Sequence, residues 1–330
     1  MVLTCSALFF AIIVSYLQFT PLMRWDWSAI DTAAVSFPKS FLWGSGISEY
    51  QVSGAARCPQ SNWADWERKG RAPASGAACD HWLHYKQDIQ LLHQLGVKAF
   101  RFTIEWSVVE PQEGSFDYAV LARYQQFCDE LIAAGIQPVI TLHHFVHPLW
   151  FEQKGAFEKA ENIHYFVRYA QEIFRLFHNK ILLWCTINEP AIYAFQAYVR
   201  GLFPPGKFLR FQQAGTLLCN LLRAHVAVYY ALKKMEGGDS AQIGIIHEGL
   251  RFSNHNRWNF STHIAARELN KLISESTLNF FLHGSFDLCM FAGIIHIHHA
   301  ILKKQTFLNL LALGLRVLSK KKRGVLCKVS

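Results

Sequence analysis

The chain has 330 residues, of which 51% are hydrophobic and 17% are charged, and this composition excludes a disordered chain and a small disulfide-linked domain. The formal net charge of +9 is unevenly placed, because residues 301–330 hold eight basic side chains and no acidic one, so the first 300 residues are nearly neutral. A nucleic-acid-binding surface needs clustered basic side chains, and we therefore expect no nucleic-acid partner for the body of the chain.

Residues 1–35 form an apolar N-terminal extension, and its first 23 residues carry no charged side chain. This stretch is similar to a signal-peptide core or a membrane anchor, but it lacks the basic start and the cleavage site of a signal peptide. We expect a cytoplasmic protein. Three alternatives stay open: membrane contact or export through residues 1–23, an extension packed on the domain, and a start codon assigned too far upstream.

From residue 36 to residue 283, short apolar runs alternate with longer helical periods, which predicts one α/β domain. The first strand is predicted at Phe41–Gly46. Asp80 is a candidate N-cap for the helix that follows, and Gly96 ends that helix. The segment Val97–Trp106 alternates apolar and polar side chains, so it is predicted as the second strand.

The same unit repeats along the rest of the domain. The predicted helices are Tyr118–Ala134, Asn162–His178 and Gln212–Met235, and the predicted strands that follow them are Pro138–His144, Ile181–Ile187 and Gln242–His247. Strands separated by helices of this length pair in parallel through right-handed crossovers. An open doubly wound sheet and a closed barrel share this periodicity, but the loop at residues 44–49 lacks the third glycine of a dinucleotide-binding GxGxxG loop.

Polar side chains at the ends of the predicted strands favour the barrel. Gln51 follows the first strand, His143 and His144 end the third, and Asn188 and Glu189 follow the fourth. The carboxyl ends of all strands of an α/β barrel open on one face, where catalytic groups from separate strands converge.

Glu189 is the most informative of these residues, because it directly follows an apolar strand and precedes Pro190. A carboxyl group half buried at such a position has its charged form disfavoured, so its pKa rises into the range of a general acid. On spacing alone, a buried acid hydrogen-bonded to a loop remains the alternative.

The stretch Thr186–Pro190 resembles the TxNEP motif of glycoside hydrolase family 1, the β-glucosidase-like enzymes. Further stretches resemble the family in the same order: Phe37–Gly44 with Glu49–Gln51, Cys79–Trp82, Arg101–Ser107 and Thr141–His144. The resemblance covers roughly Ser36 to Leu282. It implies a (β/α)8 TIM barrel that is incomplete here, with about five of the eight βα units.

The resemblance implies roles for five residues. Glu189 corresponds to the general acid/base, and Arg101 to the cation beside the nucleophilic carboxylate. Gln51, His144 and Asn188 correspond to groups that hold sugar hydroxyls. The implied reaction is retaining hydrolysis of a small-molecule β-glycoside by double displacement, without a metal or another cofactor. Without the resemblance, a core histidine at His144 and a structural ion pair at Arg101 stay open.

The nucleophilic carboxylate of this mechanism has no counterpart in the sequence. A retaining glycosidase needs two carboxylates about 5–5.5 Å apart, and the family carries the nucleophile in an Ile-Thr-Glu-Asn-Gly-like motif on the seventh strand. The 330 residues contain no such motif. Among the acids after Glu189, Glu248 lies near a predicted strand end, and we expect it to serve loop structure, with a substitute nucleophile as the alternative.

Residues 284–330 form a divergent apolar and basic tail, and its composition predicts a truncated or frame-shifted member of the family. We expect such a chain to be doubtful in activity and poorly stable alone. Residues 308–318 are predicted as an amphipathic helix, followed by a basic run suited to an anionic membrane surface. His296, His298 and His299 lack an acid or cysteine at ligand spacing, so no metal site is predicted. The second function hypothesis is a non-catalytic sugar-binding or interaction protein. The oligomeric state stays open.

Overall fold

The computed structural model describes residue 31 and residues 37–253, 260–283, 285–290 and 293–298. The amphipathic helix and basic run predicted in the tail, His299 and the segment 1–23 lie outside the described residues. The chain divides into two units, Met1–Phe41 and Leu42–Ser330. In the first unit, the rings of Phe37 and Phe41 lie 4.7 Å apart between centroids.

The second unit is built on a five-stranded parallel sheet in which the strands follow one another in chain order. Its strands are β1 (Gly44–Gly46), β2 (Ala99–Thr103), β3 (Gln137–His143), β4 (Leu183–Asn188) and β5 (Gln242–Ile246). Two more described strands, β6 (Ser285–Met290) and β7 (Gly293–His298), form a separate antiparallel pair. The five parallel strands are those that the apolar runs of the sequence predict.

The described helices connect and cover these strands. They are α1 (Glu49–Arg57), α2 (Asn62–Arg68), α3 (His81–Gln94), α4 (Trp106–Val109), α5 (Tyr118–Ala133), α6 (Leu149–Gln153), α7 (Ile163–Phe177), α8 (Pro190–Ala194), α9 (Phe211–Lys233), α10 (Phe260–Asn270) and α11 (Ser276–His283). Short π-helical turns, Phe195–Val199 and Lys271–Glu275, continue α8 and α10.

The core lies between the sheet and the helices that pack on it. Phe102, Ile140 and Trp184 of the central strands are almost completely buried. Strands of a parallel sheet are covered on both faces, so they read as nearly continuous apolar runs. Helix α9 packs against α7 and β4, which fixes the position of the fourth strand and of the residues that follow it.

Of two local predictions, the N-cap position of Asp80 is confirmed, whereas the strand end at Trp106 was wrong. Asp80 occupies the N-cap position of α3 with a left-handed φ of 50°, but its side chain makes no capping hydrogen bond. Trp106 begins α4 instead of ending a strand. The carboxylate of Glu105 accepts a hydrogen bond from the Ser107 amide at 3.2 Å, and this cap turns the chain from strand into helix.

Gly54 lies inside α1 with a φ of 63°, where the helix is kinked. A Cβ atom at this position would lie 2.2 Å from the carbonyl oxygen of Gly76. We expect Gly54→Ala to lower the free energy of unfolding by more than the roughly 1–2 kcal/mol of left-handed backbone strain, because the contact with Gly76 must also be relieved.

Gly70→Ala is the matched control for this prediction. Gly70 has a φ of 68°, and a Cβ atom there meets no atom within 4 Å, so this variant carries the backbone strain alone. Urea unfolding of both variants measures the difference. Equal losses of stability would show that the Gly76 contact costs nothing.

The buried carboxyl groups include those of Glu49 and Glu105, each 2% exposed. The Glu49 carboxyl accepts a hydrogen bond from the indole Nε1 of Trp82. Glu105 accepts one from the Ser107 hydroxyl at 2.9 Å. Burial raises the pKa of each carboxyl from 4.5 to about 7, since a charged carboxylate is poorly solvated there.

These raised pKa values predict a pH-dependent stability. The stabilising contribution of the protonated carboxyls is fully present below pH 4.5 and is lost as the pH rises toward 7. We expect Glu105→Gln to flatten the fall of the unfolding free energy between these pH values, whereas Glu161→Gln, at an exposed position, leaves the slope unchanged. Urea unfolding at a series of pH values measures both slopes, and identical slopes would contradict the prediction.

Candidate active site

Adjacent strands bring Arg101, His144 and Asn188 together. Arg101 lies on β2, His144 follows β3, and Asn188 ends β4. The Nη2 of Arg101 donates a hydrogen bond to the Asn188 side-chain oxygen at 2.8 Å and lies 3.0 Å from Nδ1 of His144. Because a guanidinium only donates hydrogen bonds, Nδ1 of His144 must accept, and its proton sits on Nε2.

The protonation state of His144 follows from the same contact. Burial and the positive charge of Arg101 lower the pKa of His144 to about 3. The imidazole is therefore neutral at neutral pH, with Nε2–H available as a donor. A hydroxyl group can accept from this donor, so the side chain is suited to hold a polar, uncharged ligand.

Glu189 lies directly after β4, where the chain turns into α8. Its φ of 42° is left-handed, and its amide donates a hydrogen bond to the carbonyl oxygen of Ile246 on β5 at 2.9 Å. The β4–β5 register shifts between Cys185 and Asn188, which marks a β-bulge just before the site. Bulges at such places redirect the side chains that follow them.

The Glu189 carboxyl is half-buried, and its environment favours the protonated form. Burial contributes most to the raised pKa of Glu189, and the negative charge of Glu248 adds to it. The charge of Arg101 and a hydrogen bond with Asn188 act in the opposite direction. A raised carboxyl pKa favours the protonated form that general-acid catalysis needs.

Gln51 makes a local hydrogen bond within its own segment. It lies on α1, is exposed, and accepts a hydrogen bond from the Ser48 hydroxyl at 2.8 Å. Its helix follows β1, and Gly46 of β1 pairs with Arg101. No hydrogen bond in the described part of the chain joins Gln51 to the other four predicted site residues, which form one cluster.

Two residues near the cluster, Cys185 and Glu248, have surroundings that the sequence did not predict. Burial raises the pKa of Cys185 to about 11, so a neutral thiol lies near Arg101. Glu248, two residues after β5, acts electrostatically on Glu189 although loop structure was its expected role. Its position after a strand end was the available signal, but no recognisable motif surrounds it.

The described residues contain no group of three or more His, Cys, Asp and Glu side chains arranged to hold a metal ion. None of the helices in the described ranges is both long and apolar enough to cross a bilayer.

The sequence matches the family model of glycosyl hydrolase family 1 over residues 33–309. The chain belongs to glycosyl hydrolase family 1. Among its relatives, β-glucosidase A of Acetivibrio thermocellus is 30% identical over 263 residues, which are 77% of this chain and 55% of that protein. β-Glucosidase 11 of Arabidopsis thaliana is 37% identical over 202 residues, covering 58% of this chain and 39% of the relative.

Solved structures of a β-glycosidase and a β-glucosidase share the fold of this chain. A β-glycosidase from Pyrococcus horikoshii superposes with a TM-score of 0.68 at 32% identity, covering 80% of this chain and 60% of its own. The Thermotoga maritima β-glucosidase in complex with glucoimidazole gives a TM-score of 0.69 at 28% identity, over 76% and 58% of the two chains.

Two predictions are thereby confirmed, the family and the incomplete TIM barrel with five parallel strands. The family 1 chain spans about two fifths to three fifths of the length of these relatives.

Proposed function

We propose that this family 1 chain hydrolyses the O-glycosidic bond of small β-glucosides or related β-glycosides, with Glu189 as general acid/base. The observation that carries the proposal is the cluster at the strand ends, where a half-buried carboxyl with a raised pKa lies beside Asn188 and Arg101. The relatives named above are β-glucosidases and a β-glycosidase, which supports this substrate class.

Each of the five predicted site residues has a chemical task in this proposal. Glu189 protonates the glycosidic oxygen as the bond to the anomeric carbon breaks, and it then takes a proton from the attacking water. Asn188, His144 and Gln51 hold hydroxyl groups of the sugar through their amide and imidazole groups. Arg101 orients Asn188 and His144 through its two contacts and supplies positive charge near the reacting carbon.

The proposed double displacement also needs a nucleophilic carboxylate, and the family motif that supplies it is not among the 330 residues. We therefore expect turnover by this chain to lie well below that of the Thermotoga maritima enzyme. The test is release of nitrophenol from 4-nitrophenyl β-glucoside by the purified full chain, with the β-galactoside and the 6-phospho-β-glucoside measured in parallel. Release at the rate of the buffer blank for all three would contradict the proposed hydrolysis.

The second candidate function is sugar binding without hydrolysis. It is favoured by one observation: Arg101 contacts both His144 and Asn188 although the nucleophile motif is missing. Glucoimidazole, the ligand of the solved Thermotoga maritima complex, is a suitable probe. Calorimetric binding of glucoimidazole that is lost in His144→Ala, together with no turnover, would favour this candidate over the hydrolase.

A further inference from the structure

Glu189 and Glu248 leave the sheet from the ends of neighbouring strands. Asn188 is paired in register with Ile246. The Glu189 amide donates a hydrogen bond to the Ile246 carbonyl oxygen at 2.9 Å. Glu248 follows Ile246 by two residues, and its side chain, like that of Glu189, is half-buried. The backbone of β4 and β5 thus holds the two carboxyl groups at the same end of the sheet.

The titratable groups around Glu189 come from four strands, and most of them are neutral. His144 after β3 has a pKa lowered to about 3, and Cys185 on β4 has one raised to about 11. Burial also lowers the pKa of His247, which lies between β5 and Glu248. Two charged groups are left near Glu189 in the described part of the chain, Arg101 on β2 and Glu248.

Arg101 does not neutralise the pair. Its Nη2 is directed at the Asn188 oxygen and at Nδ1 of His144. No ion pair between Arg101 and either carboxylate occurs among the described residues. The negative charge of Glu248 has a larger effect on Glu189 than the positive charge of Arg101. Glu189 and Glu248 are therefore two half-buried acidic groups that form no ion pair with any residue in the described part of the chain.

We propose that Glu248 is a positioning residue that keeps the Glu189 carboxyl group in its proton-donating form. The inference rests on the proposed function of Glu189 as general acid/base. A negative charge on a neighbouring strand end and poor solvation both disfavour ionisation of the Glu189 carboxyl group. When Glu189 gives its proton to a leaving group, both carboxyls carry a negative charge, and this repulsion favours recovery of a proton from the attacking water.

The test is a ¹³C NMR titration of the full chain labelled at the glutamate carboxyl carbons. The Glu189 signal is assigned by its loss in Glu189→Gln. We expect Glu248→Gln to lower the titration midpoint of Glu189 by about 1 pH unit. The alkaline limb of the pH–rate profile for 4-nitrophenyl β-glucoside should shift downward by the same amount.

Three further variants keep this experiment specific. Glu248→Asp retains the charge and should leave the Glu189 midpoint near that of the unmodified chain, and Glu248→Asn repeats the neutral substitution if the glutamine variant does not fold. Glu236→Gln is the matched control, because Glu236 is exposed and precedes β5, at the opposite end of the strand. It should move neither the midpoint nor the profile.

A Glu189 midpoint that stays unchanged or rises in the neutral Glu248 variants overturns the inference. The proposed function fails separately, through absence of turnover by the unmodified chain. If the midpoint falls in Glu248→Gln while no turnover is found, the electrostatic role of Glu248 stands and the hydrolase proposal does not.

Discussion

Glu189→Gln is expected to slow hydrolysis of phenyl β-glucoside by about 10²–10⁴-fold, because the amide has no acidic proton to give to the glycosidic oxygen. The substitution preserves the size and polarity of the side chain at a position where the backbone is left-handed. The effect should therefore fall on the chemical step and leave the fold intact. Initial rates at saturating substrate measure it.

The leaving group gives this prediction an internal control. The 2,4-dinitrophenolate of a 2,4-dinitrophenyl glucoside leaves without proton assistance. Cleavage of this glycosidic bond should therefore be slowed far less in Glu189→Gln than cleavage of the phenyl glucoside. Glu161→Gln, at an exposed position away from the strand ends, should retain full activity toward both substrates. Equal rates of the Glu189 variant and the unmodified chain with phenyl β-glucoside would exclude Glu189 as the general acid.

Trp106→Ala is expected to cost about 3–5 kcal/mol of unfolding free energy, the range for removing a fully buried aromatic side chain. Trp106 is completely buried, and its ring stacks on Tyr169 with centroids 5.0 Å apart. Its Nε1 donates to the buried carboxylate of Glu110 at 2.8 Å. The variant thus leaves a cavity and also removes one of the donors that stabilise that charge.

Urea unfolding followed by circular dichroism measures this loss. Trp106→Phe should lie between the unmodified chain and Trp106→Ala, since it keeps most of the ring but not the donor to Glu110. Leu83→Ala is the exposed control, because Leu83 is 71% accessible, and it should change stability by less than about 0.5 kcal/mol. A loss in Trp106→Ala no larger than that of Leu83→Ala would show that the indole is not integral to this core.

The parallel strands could be predicted because a strand buried on both faces leaves a recognisable apolar run. The predicted strand Ile181–Ile187 overlaps β4, which runs from Leu183 to Asn188. The short helices α1, α2 and α6 were missed, since a few residues carry too little periodicity to distinguish a helix from a loop. Trp106 was placed on a strand because its alternation with Phe102 and Ile104 continues across the cap that Glu105 provides.

The site was predictable to the extent that it follows from topology. Arg101 and Asn188 are 87 residues apart in sequence, and the convergence of parallel strand ends is what places them in contact. The side-chain environment was not predictable in this way. Gln51 is hydrogen-bonded to Ser48 and not to the cluster. The charge of Glu248, which follows β5, acts on Glu189, which follows the neighbouring strand β4. Such details depend on rotamers and burial that a linear motif does not record.

The bulge in β4 makes the number of residues in this strand as important as their identity. Side chains alternate between the two faces of a strand, so an insertion or deletion of one residue between Cys185 and Asn188 would reverse which face Asn188 presents. The amide would then lie away from Arg101 even though every letter of the Asn-Glu-Pro stretch was still present. In this chain, the spacing ahead of the Asn-Glu-Pro stretch thus matters for the contact between Asn188 and Arg101 as much as the stretch itself.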